Sequence, residues 1–172
     1  MIIKGITDED FINYKLPSMY IATATCSFKC DKEYGKPICQ NGLLALQPTH
    51  EINNDYIIHR YRQNKITKAI VFGGLEPMDH SFDDVLDIIR TMRTEWFDMS
   101  SNMCCISGHI MDDVVIYTGY NKDEIKNQIE QLKQYENIVI KFGRYIPNQQ
   151  PHFDPVLGVY LASDNQYAER IS

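Results

Sequence analysis

No window of this chain approaches the roughly 18 consecutive apolar residues that a bilayer-crossing helix needs. A signal-peptide layout is missing too, because Met1-Ile2-Ile3-Lys4-Gly5 soon runs into Asp8-Glu9-Asp10. Lysine and arginine are scattered, with no run beyond isolated pairs, and the net charge is -6. Phosphate backbones need a concentrated basic surface, so nucleic acid is not an expected partner. Internal repeats, low-complexity segments and long linkers are also lacking. At 172 residues the expectation is a single domain over 1–172, cytoplasmic, with no membrane partner.

What the chain does have is an odd set of cysteines. Cys26, Cys30 and Cys39 fall in one loop, 26–39, directly after the apolar run Met19-Tyr20-Ile21-Ala22. A disulfide framework needs pairs, and a cytosolic chain keeps its thiols reduced. Thiolates are soft ligands that select zinc, copper(I) and iron–sulfur clusters. A tetrahedral zinc site would need a fourth ligand, for which His50 or Asp31 stands nearest to hand. A four-iron cluster held by only three cysteines keeps one iron open for a substrate or cofactor. Three packed cysteines are the plainest alternative, and spacing alone leaves all three readings open. Cys104 and Cys105 are adjacent, lack metal-ligand spacing and are expected to pack.

Hydrophobic patterning supplies the frame. Ile2–Ile6 suits a short strand, and Ser18–Thr25 a buried one that ends at the first cysteine. Ala69-Ile70-Val71-Phe72 is a compact apolar run stopped by Gly73-Gly74, and Val114–Thr118 is another, closed by Gly119. Ile138-Val139-Ile140 and Val156–Leu161 complete the strands, the latter opening a C-terminal strand and closing loop over 156–172. Between them, helices are expected from Asp55 with Asn54 or Asp55 as cap, from Ser81 as cap to about Met92 or Arg93, and from an Asn121–Glu124 capping box. Gly35 and Pro37 exclude a regular helix through the cysteine loop.

Continuously apolar strands alternating with amphipathic helices predict an α/β fold with a mostly parallel sheet. Such sheets bind ligands beyond the carboxyl ends of their strands. Four loops should meet there: Cys26–Cys39, Gly73–Pro77, Thr118-Gly119-Tyr120 and Gly143-Arg144-Tyr145. Glycines at a strand end allow close backbone approach to a ligand, and Glu76 would offer an acceptor to a ligand ammonium.

In this order, those motifs resemble the radical S-adenosylmethionine (SAM) proteins, and among them the small activating enzymes of anaerobic ribonucleotide reductase. The cysteine loop followed by Gln40-Asn41, the Gly73-Gly74-Leu75-Glu76-Pro77 turn, Thr118-Gly119-Tyr120, Gly143-Arg144-Tyr145 and the Ser163-Asp164-Asn165-Gln166 close carry the resemblance from about Ser18 to Arg170. It implies a small, open, partial (β/α) barrel. Cys26, Cys30 and Cys39 would hold a four-iron, four-sulfur (4Fe-4S) cluster, and SAM would chelate its open iron. Gly73, Gly74, Glu76 and Pro77 would help hold the SAM amino group, with Thr118 and Tyr120 near the ribose. An electron from a donor such as flavodoxin would cleave SAM to methionine and a 5′-deoxyadenosyl radical. In the activases that radical abstracts hydrogen from a glycine of the partner, the reductase large subunit. No protein acid or base is implied.

The family spaces its cysteines by three residues and then two, whereas here the gaps are three and eight. Leu75 stands where a further glycine is usual, and Ile38 replaces an aromatic that contacts the cofactor, leaving Phe28 or Tyr34 to supply that surface. Two other readings remain beside this one: radical SAM chemistry on another peptide or small molecule, and a non-enzymatic zinc-binding module.

Overall fold

The computed structural model describes residues 1–94, 96–98, 105–107 and 110–172. Cys104 and the side chain of Cys105 lie outside what is described, so the expectation that they pack is not addressed.

Four apolar segments form the centre of a seven-stranded sheet: β2 (Ser18–Thr23), β4 (Ala69–Gly74), β7 (Asp113–Tyr117) and β8 (Ile138–Phe142), all parallel to one another. Antiparallel strands flank them. β1 (Ile2–Asp10) pairs with β2, β3 (His50–Glu51) extends that edge, and β11 (Tyr167–Arg170) pairs with β8 at the other. The order is β11-β8-β7-β4-β2-β1-β3. The α/β class and the parallel centre follow the sequence reading; the antiparallel edges go beyond it.

The two faces are covered differently. Met19, Ile21, Ile70, Phe72, Val114, Ile116, Ile138, Ile140 and Phe142 share one core with residues of three helices. These helices are α3 (Asn54–Gln63), α4 (Phe82–Arg93) and α5 (Lys126–Leu132); the short α1 (Lys29–Tyr34) and α2 (Gly42–Ala45) belong to the cysteine region. In α4 the spacing of Phe82, Val85, Ile88, Ile89 and Met92 makes one apolar face, and each such side chain contributes roughly 1.5–3 kcal/mol by leaving water. Alternate strand residues, Ala69, Val71, Val115 and Val139, point to the second face and pack with Tyr14, Leu157 and Leu161. Among the described residues, helices do not supply that cover. It comes from the chain around Tyr14 and from a hairpin of β9 (His152–Asp154) and β10 (Val159–Leu161). A two-stranded pair, β5 (Trp96–Asp98) with β6 (Cys105–Ser107), stands apart from the main sheet.

Three sequence expectations need correction. The α3 cap is Asn53, whose side chain accepts from the Asp55 amide; Asn54 has already turned helical and donates to Asp84 and Asp87. Ser81 makes no side-chain cap because its own backbone is helical. The single strand expected over Val156–Leu161 is a turn followed by β10. Asp154 Oδ1 accepts from the amides of Val156 and Leu157, and Gly158 at φ 74° bends the chain before the strand begins. The Asn121–Glu124 capping box does form, opening a 3₁₀ turn over Lys122–Ile125 that leads into α5. Among the described residues, no helix is long and apolar enough to cross a membrane.

Candidate functional site

Because β2, β4, β7 and β8 run parallel and in register, their following loops leave at one level. Thr23 lies opposite Gly74, Phe72 opposite Ile116, and Tyr117 opposite Lys141. All four loops singled out in the sequence line one cavity of about 300 Å³ at this edge.

The cysteine loop forms its first wall. A helix starts at Lys29 and stops at Gly35, whose φ of 72° suits glycine and ends the turn. From there the chain doubles back. Asp31 Oδ1 accepts from the amides of Ile38 at 2.9 Å and Cys39 at 2.8 Å, which returns the third cysteine to the other two. Asn41 then donates to the Gly74 carbonyl, and the Glu76 amide donates to Thr25 O at 2.8 Å. Cys26, Cys30 and Cys39 are all free, half-buried and on the cavity wall. The Cys30 and Cys39 thiols contact one another, and Cys26 accepts from the Phe28 amide. Burial pushes the Cys26 thiol up to about 11 and, with the neighbouring Cys39, that of Cys30 up to about 12. A soft metal that displaces their protons would relieve that cost.

Among the described residues, no three or more His, Cys, Asp or Glu side chains are grouped as ligands of a single metal ion. The two candidates for a fourth zinc ligand are engaged or distant: Asp31 holds the loop closed, and His50 is exposed on β3 at the sheet edge. A cluster makes a different demand, because each cysteine binds a different iron and the thiols need not converge on one point. Three soft donors fit that demand, with the Asp31 carboxylate beside them accepting from the Cys30 thiol at 3.8 Å.

The glycine turn forms the second wall. Gly74 has φ 81°, and a Cβ there would meet Ala22 Cα at 3.0 Å. At Gly73 a Cβ would lie 2.8 Å from the Tyr20 hydroxyl, so this glycine makes room for a tyrosine instead of touching the cavity itself. Leu75 and Glu76 line the cavity; Pro77 is buried behind it. Glu76 is 5 % exposed. Its Oε1 accepts from the Met78 amide at 3.0 Å and its Oε2 from the Gly119 amide at 2.8 Å, with Thr118 also bonded to the carboxylate. Burial nevertheless raises its pKa to about 7. The turn after β4 is thereby stitched to the turn after β7, where the Tyr120 amide donates to Thr118 Oγ1.

Several cavity residues escape the motifs. Tyr20, Tyr117 and Lys141 project from the second sheet face and make the floor, while Tyr160, Leu161 and Ala162 close the site from the C-terminal side beside Gln166 of the closing motif. Lys141 is 7 % exposed, donates to the Gly143 carbonyl at 2.8 Å, and has its pKa lowered to about 8 by burial, against the pull of Glu76. A lysine inside an otherwise apolar strand was the available signal. Asp79, in the turn before α4, accepts from the Ser27 amide and from the Tyr120 hydroxyl. At the rim, Arg144 makes a two-pronged pair with Glu124 and reaches Glu33 on α1, while Lys29 pairs with Glu124 and lies over the Tyr120 ring. Neither Phe28 nor Tyr34 lines the cavity; its aromatic surface comes from Tyr20, Tyr117, Tyr120, Tyr145 and Tyr160.

No family model, curated protein or solved structure matches the chain.

Proposed function

We propose that this protein is a radical SAM enzyme of the glycyl-radical activating kind, resembling the activating component of anaerobic ribonucleotide reductase, with a flavodoxin-like electron donor and the reductase large subunit as partners in the cytoplasm. The observation that carries the reading is the shared cavity: three cysteine thiols on one wall, the Gly74–Glu76 turn on the next and Thr118–Tyr120 on the third, all at the carboxyl edge of parallel strands. A sheet with helices on one face only is also what a small, open, partial barrel would require.

Cys26, Cys30 and Cys39 would hold the 4Fe-4S cluster, which supplies the electron for reductive cleavage of SAM when both are bound. The chain's own part is placement and exclusion of water. Asp31 and Asn41 keep the third cysteine beside the glycine turn. Glu76, with spare lone pairs beyond its backbone bonds, offers an acceptor to the SAM ammonium. Lys141 offers donors to a carboxylate, since among the described residues it spends one hydrogen bond, on the Gly143 carbonyl. Tyr160 is 75 % exposed at the cavity edge, which leaves a way in for a polypeptide loop.

The test is anaerobic reconstitution followed by reduction with SAM. About four irons per chain and formation of 5′-deoxyadenosine are expected, and Cys26→Ala, Cys30→Ala and Cys39→Ala should each abolish both. Stoichiometric zinc without iron in protein purified without oxygen would replace this reading by a zinc-stabilised binding module. A SAM-dependent glycyl radical on the co-expressed reductase identifies the partner. SAM cleavage without that radical would direct the search to another peptide or a small molecule.

A further inference from the structure

We infer that Asp79 is a positioning residue that holds the cysteine loop against the rest of the site and lowers the reduction potential of a cluster bound there, an inference that rests on the iron–sulfur reading above. Asp79 belongs to none of the motifs behind that reading. Its carboxylate is divided between two loops. Oδ2 accepts from the Ser27 amide at 2.8 Å, one residue past Cys26, and Oδ1 accepts from the Tyr120 hydroxyl beyond β7. Ser27 Oγ and Tyr120 Oη lie 3.4 Å apart, so the two loops that Asp79 joins also touch one another. The aspartate is itself fixed, because its amide donates to Glu76 O and its carbonyl accepts from the Phe82 amide as α4 begins. One side chain therefore ties together the loops after β2, β4 and β7.

The charge matters as much as the geometry. Among the described residues no Lys, Arg or His forms an ion pair with Asp79; the rim cations Lys29 and Arg144 are paired with Glu124 and Glu33 instead. Among the described residues its carboxylate is met by neutral donors, the Ser27 amide and the Tyr120 hydroxyl, and the first of these lies one residue past Cys26. A fixed negative charge near a cysteine ligand disfavours an added electron on the cluster. Nearby charge and hydrogen bonding are the levers that tune such potentials.

The experiment is an EPR-monitored redox titration of the reconstituted full chain, comparing wild type with Asp79→Asn, Asp79→Glu and Tyr120→Phe. Asp79→Asn keeps the shape and removes the charge, so the midpoint potential should shift upward at unchanged iron content, and Asp79→Glu should restore it toward wild type. Tyr120→Phe keeps the charge and removes one of its donors, so it should shift the potential downward. Upward shifts in both Asp79→Asn and Tyr120→Phe would mean that a loosened loop is responsible, and would overturn the inference. An unmoved potential in Asp79→Asn would overturn it as well. If Asp79→Asn takes up no iron, Tyr120→Phe decides alone: a downward shift supports the role, while any other result refutes it. A wild-type chain that takes up no iron under the same conditions overturns the proposed function, and this inference with it.

Discussion

The amide of Cys39 donates to Asp31 Oδ1 at 2.8 Å, and the Ile38 amide reaches the same oxygen at 2.9 Å. Eight residues separate Cys30 from Cys39, and without a tie that length of chain would let the third thiol wander. The carboxylate sits one residue past Cys30 and so fastens the far end of the loop to its near end. Charge-assisted bonds of this kind contribute on the order of 2 kcal/mol each. Asp31→Ala should lower iron uptake severely, while Asp31→Asn, which keeps an acceptor, should lose less. Iron analysis after anaerobic reconstitution measures both, and equal full uptake in Asp31→Ala would show that the tie is dispensable.

Gly73 leaves space for a tyrosine. A Cβ there would lie 2.8 Å from Tyr20 Oη and 3.0 Å from Tyr20 Cε2. Gly73→Ala should therefore destabilise the chain by about 1–3 kcal/mol, the usual cost of overpacking. Adding Tyr20→Phe removes the closer contact and should recover part of the loss. Urea midpoints of the single and double variants test the coupling, and strictly additive effects would refute it.

Glu76 gives stability a pH signature. Burial, the largest influence, raises its pKa from 4.5 to about 7, so the folded chain favours the protonated acid. Its contribution is then fully present below about 4.5 and is lost as pH rises through about 7, on the order of 3 kcal/mol from end to end. Glu76→Gln should flatten that decline. Denaturant titrations of the metal-free chain at pH 5 and pH 8 would show it, and parallel profiles for the two proteins would rule the carboxyl out.

Lys141 titrates the other way. Burial lowers its pKa from 10.5 to about 8. A bound carboxylate would favour the charged form and recover part of that penalty. Lys141→Met should weaken binding of S-adenosylhomocysteine by about tenfold or more, and leave 5′-methylthioadenosine, which has no carboxylate, unaffected. Calorimetry on both ligands separates the two effects, and equal losses would mean a reshaped cavity.

The central strands were legible because burial on both faces produces unbroken apolar runs, as in Ala69–Phe72 and Ile138–Ile140. Their parallel pairing then placed the Cys26–Cys39 and Gly73–Pro77 loops at one edge by topology alone. Elements that bury little left no such trace. α1 has six residues and none of them buried, so it has no periodicity to detect. β11 is, among the described residues, an edge strand paired to β8 alone, with a mixed Tyr-Ala-Glu-Arg sequence. Tyr117, and the role of Lys141 despite its contrast with an apolar strand, were hard to read for another reason. They point to the sheet face covered by the β9–β10 hairpin, and whether that face is core or cavity depends on a segment far along the chain. Asp79 finds its partners 52 residues before it and 41 after it, a distance at which sequence pattern is silent.

The hairpin that covers this second face also imposes an order in time. Cys26, Cys30 and Cys39 leave the ribosome long before Tyr160, Leu161, Ala162 and Gln166, which complete the cavity around them. Synthesis proceeds at roughly 5–20 residues per second, so the thiols spend several seconds without their last wall. Metal delivered during translation would meet an unfinished site, and the wall's later arrival would have to accommodate whatever was already bound. On the proposed reading, loading after release, past the exposed Tyr160 at the cavity edge, would avoid that conflict and leave the finished fold to select what enters.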